Sequence, residues 1–377
     1  MPCDFQLLPH EGIKTLSPYI PGKSIEELAR EQGISDIIKL ASNENPLGCS
    51  PRVKEALSSL TSQKISAYPD PMNHPLLGNI ADRLGIDPNM ITLGNGSDAL
   101  FPLILMCFAL HRDKEVLVPD YSFIAYRIYA KSLGIPVVSV PIKTNWEVDI
   151  DKLIAACHPN TALIFLANPN NPTGTFVKLN SIQKLLDNIP ESTILVLDEA
   201  YHEYIEAEES KHSIRLLEKY SNLIITRTFS KAYGLAGLRV GYAIAHPDIT
   251  SILLRATQPF ALNQAGLAAA LAALGDEAFI ADTVQTNDRG LEQLKQGLAK
   301  LHVPFIEPYG NFITINCQQD AKGIYQHLLR HGIIVRPLHP YGMAHFLRVT
   351  VGTSEQNKRF LDKLGICLSS THSALRL

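Results

Sequence analysis

Apolar positions along this chain recur with two different periods. Short runs that are apolar almost throughout read as strands: MITLGN, KEVLVPD, PVVSVPI, TALIFLAN, STILVLDEA, NLIITRTF and RVGYAIA. Runs without polar alternation are expected of strands covered on both faces. Between them lie stretches such as SFIAYRIYAKSLG and LNSIQKLLDNI, the latter with apolar residues at helical spacing. Strand and helix in alternation predict an α/β domain over residues 46–260, with a mostly parallel central sheet between helices. Beyond it a long helical region precedes FITINC, IIVRPL and FLRVTVGT, which predicts a smaller α+β domain over 261–366. Residues 1–45, rich in Pro and Gly, read as an arm associated with that smaller domain, and 367–377 as a polar tail.

Composition narrows the class. The chain has 377 residues, long for one core, so a two-domain organisation fits its length. Apolar residues make up 46% and charged ones 19%, the balance of a globular protein with a large interior. The formal charge is −3, and its 34 basic and 37 acidic side chains are well mixed, so nucleic acid is not an expected partner. The longest apolar stretch, ALFPLILMCFAL, falls short of the ~20 residues that cross a bilayer, and the N-terminus has no export-signal pattern. No membrane association is expected, and the predicted location is cytoplasmic. Six scattered cysteines without a CxxC pair fit reduced thiols. The thirteen histidines show no HExxH or Cys/His spacing, so no metal is expected.

In an open parallel sheet, ligands bind beyond the carboxyl ends of the strands. The strands here end in GNGSDA (94–99), Tyr121, NPNNPTG (168–174), Asp198 with Tyr201, and Ser230-Lys231 followed by Arg239. GNGSDA matches G-x-G-x-x-A, with Asp120 about twenty residues on, as in dinucleotide sites. Yet glycines ahead of a helix start accept any phosphate, so the motif signals phosphate rather than a nicotinamide cofactor. Asp198 reads either as a helix cap or as the partner of a buried cation. Asn171 reads either as turn chemistry or as a ligand. Lys231 is either an ordinary surface charge or an amine driven towards neutrality by burial and by Arg239. A neutral amine attacks carbonyls. Pyridoxal phosphate needs this set together: a lysine, an acid for its ring nitrogen, a donor for its ring oxygen, an aromatic ring and a phosphate cradle.

The ordered motifs NPNNPTG, DEAY and SKAYGLAGLR resemble those of the fold-type-I pyridoxal-phosphate aminotransferases over nearly the whole chain. LSPYIPGKSIEEL, IIKLASNENPLG, AYPDP and LRVTVGT are similar to the histidinol-phosphate aminotransferases among them. The resemblance implies that Lys231 is the catalytic lysine, bonded to the cofactor aldehyde and moving protons. Asp198 would pair with the ring nitrogen, Asn171 and Tyr201 would bond the ring oxygen, and Tyr121 would stack on the ring. Ser97, Asp98, Ser230 and Arg239 would hold the phosphate, joined by Tyr68 from the neighbouring subunit of a homodimer. Tyr19, Asn43, Arg336 and Arg348 would bind substrate.

The implied reaction exchanges the amino group of L-histidinol phosphate with 2-oxoglutarate, giving imidazole-acetol phosphate and L-glutamate in histidine biosynthesis. Two guanidiniums suit a phosphate. Two departures bear on specificity: Ala99 and Ala261 stand where the family usually has an acidic residue and an asparagine. Related readings share the cofactor residues, namely a threonine-phosphate decarboxylase or an aromatic-amino-acid aminotransferase. A nicotinamide oxidoreductase would leave Lys231, Asn171 and Asp198 without a role.

Overall fold

A computed structural model describes residues 5–18, 22–70, 74–110, 113–205 and 213–374. All seven predicted strands of the first domain form, and they build one sheet. They are β2 (Ile91–Gly94), β3 (Glu115–Pro119), β4 (Val137–Val140), β5 (Thr161–Ala167), β6 (Ile194–Asp198), β7 (Leu223–Thr228) and β8 (Gly241–Ala245). β1 (Ile38–Leu40) precedes them and belongs elsewhere. The order across the sheet is β2-β8-β7-β6-β5-β3-β4. The pairs from β7 to β4 are parallel, and β8 alone runs against its neighbours.

Strand periodicity splits the interior into two layers. Along β5, Leu163, Phe165 and Ala167 join Val116, Val196, Ile224 and Tyr126 on one face. Ile164 and Leu166 join Leu117, Leu195, Leu197 and Ile225 on the other. Helices cover both layers, which is why these strands are apolar on consecutive positions. The fold is the α/β arrangement expected, with a mostly parallel sheet between helices.

A second sheet has the order β1-β11-β12-β10-β9, with β9 (Phe305–Ile306), β10 (Phe312–Asn316), β11 (Ile333–Pro337) and β12 (Phe346–Thr350). β1, from the N-terminal segment, pairs in parallel with β11. Helices Ala321–Arg330 and Ser354–Ala374 and the end of Glu277–Lys300 enclose a separate core around Leu294, Leu328, Val349 and Phe360.

Two expectations need correcting. Helix Gln264–Leu274, assigned by sequence to the smaller domain, buries Leu267, Ala269, Ala270 and Ala273 in the core of the large sheet. Its run of Ala and Leu lacks a polar face, and such a helix must be buried. The division between the cores therefore falls within the next helix, Glu277–Lys300, whose Ile280 packs on the large core and whose Leu294 and Leu298 fill the small one. Second, the expected polar tail continues the last helix as far as Ala374, and its Cys367 is buried. No helix among the described residues is long and apolar enough to cross a membrane.

Candidate active site

The parallel strands release their chains at one edge, and a cavity of about 430 Å³ opens there. Eight of the residues singled out by sequence line it: Ser97, Asp98, Asn171, Asp198, Tyr201, Ser230, Lys231 and Arg239. A larger groove, about 1490 Å³, lies elsewhere, and mixed charges such as Lys184, Glu292, Lys295 and Glu307 line it. Its size is not matched by convergent chemistry.

Lys231 follows β7, and its Nζ donates to the Ser42 carbonyl at 3.1 Å. Burial, reinforced by the Arg348 and Arg239 guanidiniums, lowers its pKa to about 8. A lysine that is partly neutral near physiological pH is a competent nucleophile. Asp198 ends β6 and is 5% exposed. Its Oδ1 accepts from Thr226 at 3.1 Å and its Oδ2 from Tyr126 at 2.5 Å. Burial pushes its pKa up to about 6, with those two hydroxyls pulling the other way. Both partners are neutral, and among the described residues no ion pair is formed by this carboxylate, which lines the cavity.

Of the three asparagines in NPNNPTG, Asn171 alone lines the cavity. Asn168 stitches to the backbone of Val177 in both directions, and Asn170 donates to the Tyr121 carbonyl and to Thr173. Asn171 instead accepts from Arg348 Nη1 at 2.6 Å through Oδ1, which leaves Nδ2 as a donor. Tyr201 accepts from Asn43 Nδ2 at 2.8 Å, which leaves its hydroxyl proton to donate. Burial holds that proton, raising the pKa to about 12.

The glycine loop behaves as a cradle. Gly96 has φ +79°, and a Cβ there would collide with the Arg239 guanidinium, so only glycine lets that group lie against the loop. Arg239 Nη1 donates to Ser230 Oγ at 3.3 Å, and Asp98 accepts from Tyr129 at 2.5 Å. Hydroxyls, an arginine and a helix start converge here, a donor set that fits a phosphate monoester.

The second sheet supplies the remaining charge. Arg348 on β12 donates to the Ala41 carbonyl at 2.6 Å and lies over the Phe312 ring. Arg336 on β11 is its direct cross-strand partner, and both are buried. Two arginines paired across adjacent strands suit an anion. Asn43, 1% exposed, bonds Tyr201 and Thr350 and so ties the N-terminal segment to both sheets.

Of the residues expected at the site, Tyr121 and Tyr68 stand apart from it. Tyr121 does not line the cavity: its left-handed backbone (φ 55°) places the ring against Trp146, 5.2 Å away. Phe123, two residues later, does line the cavity, with Phe101 and Tyr129. This corrects the sequence assignment. Tyr68 is 79% exposed and stacks on Phe260 at 4.4 Å, outside the cavity of its own chain. Tyr19 lies outside the described residues. Sequence reading also missed Tyr126, Tyr129 and Thr226, whose hydroxyls reach the acidic groups from inside the fold.

The aminotransferase class I and II family model matches residues 35–364. A histidinol-phosphate aminotransferase 2 of Legionella pneumophila (strain Lens) is 53% identical over 97% of this chain and 99% of its own. One from Haemophilus influenzae (strain 86-028NP) is 45% identical over 94% and 96%. The crystal structure of histidinol-phosphate aminotransferase from Sinorhizobium meliloti in complex with pyridoxal-5'-phosphate superposes with a TM-score of 0.87. It is 28% identical and covers 96% of this chain and 98% of its own.

Proposed function

The chain belongs to the aminotransferase class I and II family, and from that premise we propose that it exchanges the amino group of L-histidinol phosphate with 2-oxoglutarate, using pyridoxal phosphate. The observation that carries the chemistry is one cavity holding a lysine of lowered pKa and a buried carboxylate whose hydrogen-bond donors are neutral hydroxyls. The substrate follows from relatives of that name aligned over nearly the full length.

When bound, the cofactor supplies an aldehyde that condenses with amines and a protonated ring that draws electrons from the substrate α-carbon. Each residue has a defined share in holding it. Asp198 would pair with the ring nitrogen, Asn171 Nδ2 and the Tyr201 hydroxyl would donate to the ring oxygen, and Phe123 would cover the ring. Ser97, Asp98 at its helix start, Ser230 and Arg239 hold the phosphate. Lys231 would hold the aldehyde end of the cofactor, and its Nζ would accept and return the α-proton of the substrate. Arg336 and Arg348 take the anionic end of either substrate, a phosphate in one half-reaction and a carboxylate in the other. Asn43 sets Tyr201, and the substrate role expected of Tyr19 falls outside the described residues.

The exposed Tyr68–Phe260 stack serves a second copy of the chain, in a homodimer where each Tyr68 reaches the neighbouring cofactor phosphate. The enzyme works in the cytoplasm as a step of histidine biosynthesis.

Adding L-histidinol phosphate to the yellow, cofactor-loaded enzyme is expected to bleach it to the pyridoxamine form, and 2-oxoglutarate to restore the colour with release of glutamate. Faster carbon dioxide release from a phosphorylated amino acid, or bleaching by aromatic amino acids alone, would replace this substrate assignment.

A further inference from the structure

Tyr126 is absent from the motifs and does not line the cavity, yet it makes the shortest hydrogen bond to Asp198. We propose that Tyr126 is a positioning residue: its hydroxyl holds Asp198 ionised and aimed at the ring nitrogen of the bound cofactor. This rests on the pyridoxal-phosphate reading above.

The geometry restricts the hydroxyl to that one task. Tyr126 lies in helix Ile124–Ser132 and is fully buried. Its ring stacks on Phe165 at 4.7 Å and meets Phe101 and Phe123 edge-on at 5.0 and 5.6 Å. Packing of this kind fixes the ring by shape and leaves the oxygen a single direction. The oxygen ends 2.5 Å from Asp198 Oδ2, while Thr226 reaches Oδ1 at 3.1 Å.

The direction of donation is settled by chemistry. Burial raises the Tyr126 pKa well above its ordinary value, and the Asp198 charge raises it further. The proton therefore stays on the phenol, which donates and never competes as an acid. A donor to the ionised form favours that form. It opposes the burial that drives Asp198 towards protonation and the Asp98 charge that adds to it. Tyr201 and Tyr341 also face this pair, and Lys231 lies across the cavity. The same helix start thus performs two tasks three residues apart, since Phe123 walls the cavity and Tyr126 braces the carboxylate behind it.

Without the hydroxyl, burial draws the shared proton towards Asp198, and the ring nitrogen is left less protonated at a given pH. Tyr126→Phe keeps the ring packing, so the test is carried out on the loaded enzyme with cofactor labelled with nitrogen-15 in the ring. Losing one hydrogen bond to a charged group lowers the ring-nitrogen titration midpoint by about one pH unit. It lowers kcat about ten-fold and leaves KM for L-histidinol phosphate within about two-fold, the pattern of an interaction that matters in the transition state. Thr226→Val, which removes the longer contact, moves the midpoint the same way by less, and carries the test alone if Tyr126→Phe does not fold. A midpoint unchanged in the folded variant overturns the proposal, as does a loss that appears in KM alone. If the wild-type protein shows no bound ring-nitrogen signal at all, the cofactor reading falls and takes this role with it.

Discussion

Asp198 and Glu199 are consecutive residues at the end of β6, and both are buried. Strand alternation sends them to opposite faces of the sheet. Glu199 finds Arg227 on β7, with contacts of 2.9 Å from Nε and 2.8 Å from Nη2. Asp198 finds the neighbouring β7 residue, Thr226, and Tyr126, which are neutral. One carboxylate is given its cation by the chain itself. The other is held in position, pushed towards protonation, and opens on a cavity. A buried acid that the fold supports but does not neutralise is poised for a cationic ligand, whereas its neighbour is a structural pair.

Exchanging the two roles is the sharpest way to break this contrast. Asp198→Asn keeps shape and removes charge. It is expected to cost about 10³-fold or more in kcat, the scale of losing a preorganised charge at the reacting centre, with little loss of stability in the cofactor-free protein. Steady-state kinetics together with thermal unfolding measure both. Activity within ten-fold of wild type would reduce Asp198 to a helix cap.

Glu199→Ala should behave in the opposite way. It leaves the Arg227 guanidinium buried and unpaired, which costs about 3–5 kcal/mol of folding stability. The kcat of the protein that remains folded should stay close to wild type, because Glu199 faces away from the cavity. Denaturant unfolding and active-site titration separate the two quantities. A large fall in kcat per active site would show that the two faces are coupled through β6.

The sequence made one of these faces readable and hid the other. Lys231, Asp198, Asn171 and the glycine loop follow apolar strands, and parallel topology alone brings strand ends together. Glu199 stands inside the same DEAY motif, yet its partner is visible only from the register Asp198↔Thr226, which sets Arg227 beside it. Tyr126 stands within a stretch that sequence marks only as helical, which says nothing of where its hydroxyl ends. Sequence pointed to Tyr121 alone; that Phe123 lines the cavity instead follows from the left-handed backbone at Tyr121, a conformation that a non-glycine residue rarely adopts and its sequence does not announce. Arg336 and Arg348 were legible as two arginines, but their adjacency required the pairing of β11 with β12.

The smallest effect isolates the Asp198 side of the comparison by pH. In the cofactor-free protein Asp198 keeps its proton up to about pH 6, while an unfolded aspartate releases it near 3.8. Between those values the folded state binds the extra proton, so stability from this residue is full at the acid end and is lost as pH rises through the window. The loss is on the order of 2–3 kcal/mol. Glu203, raised to about 7 by burial, contributes with the same sign, and Lys231, lowered to about 8, with the opposite sign above pH 8. Asp198→Asn retains both of those groups. The cofactor-free variant should therefore match wild type near pH 4 and exceed it above pH 6, in urea titrations at each pH. Parallel curves across that range would mean that Asp198 already has its cation within the chain, and the distinction from Glu199 would vanish.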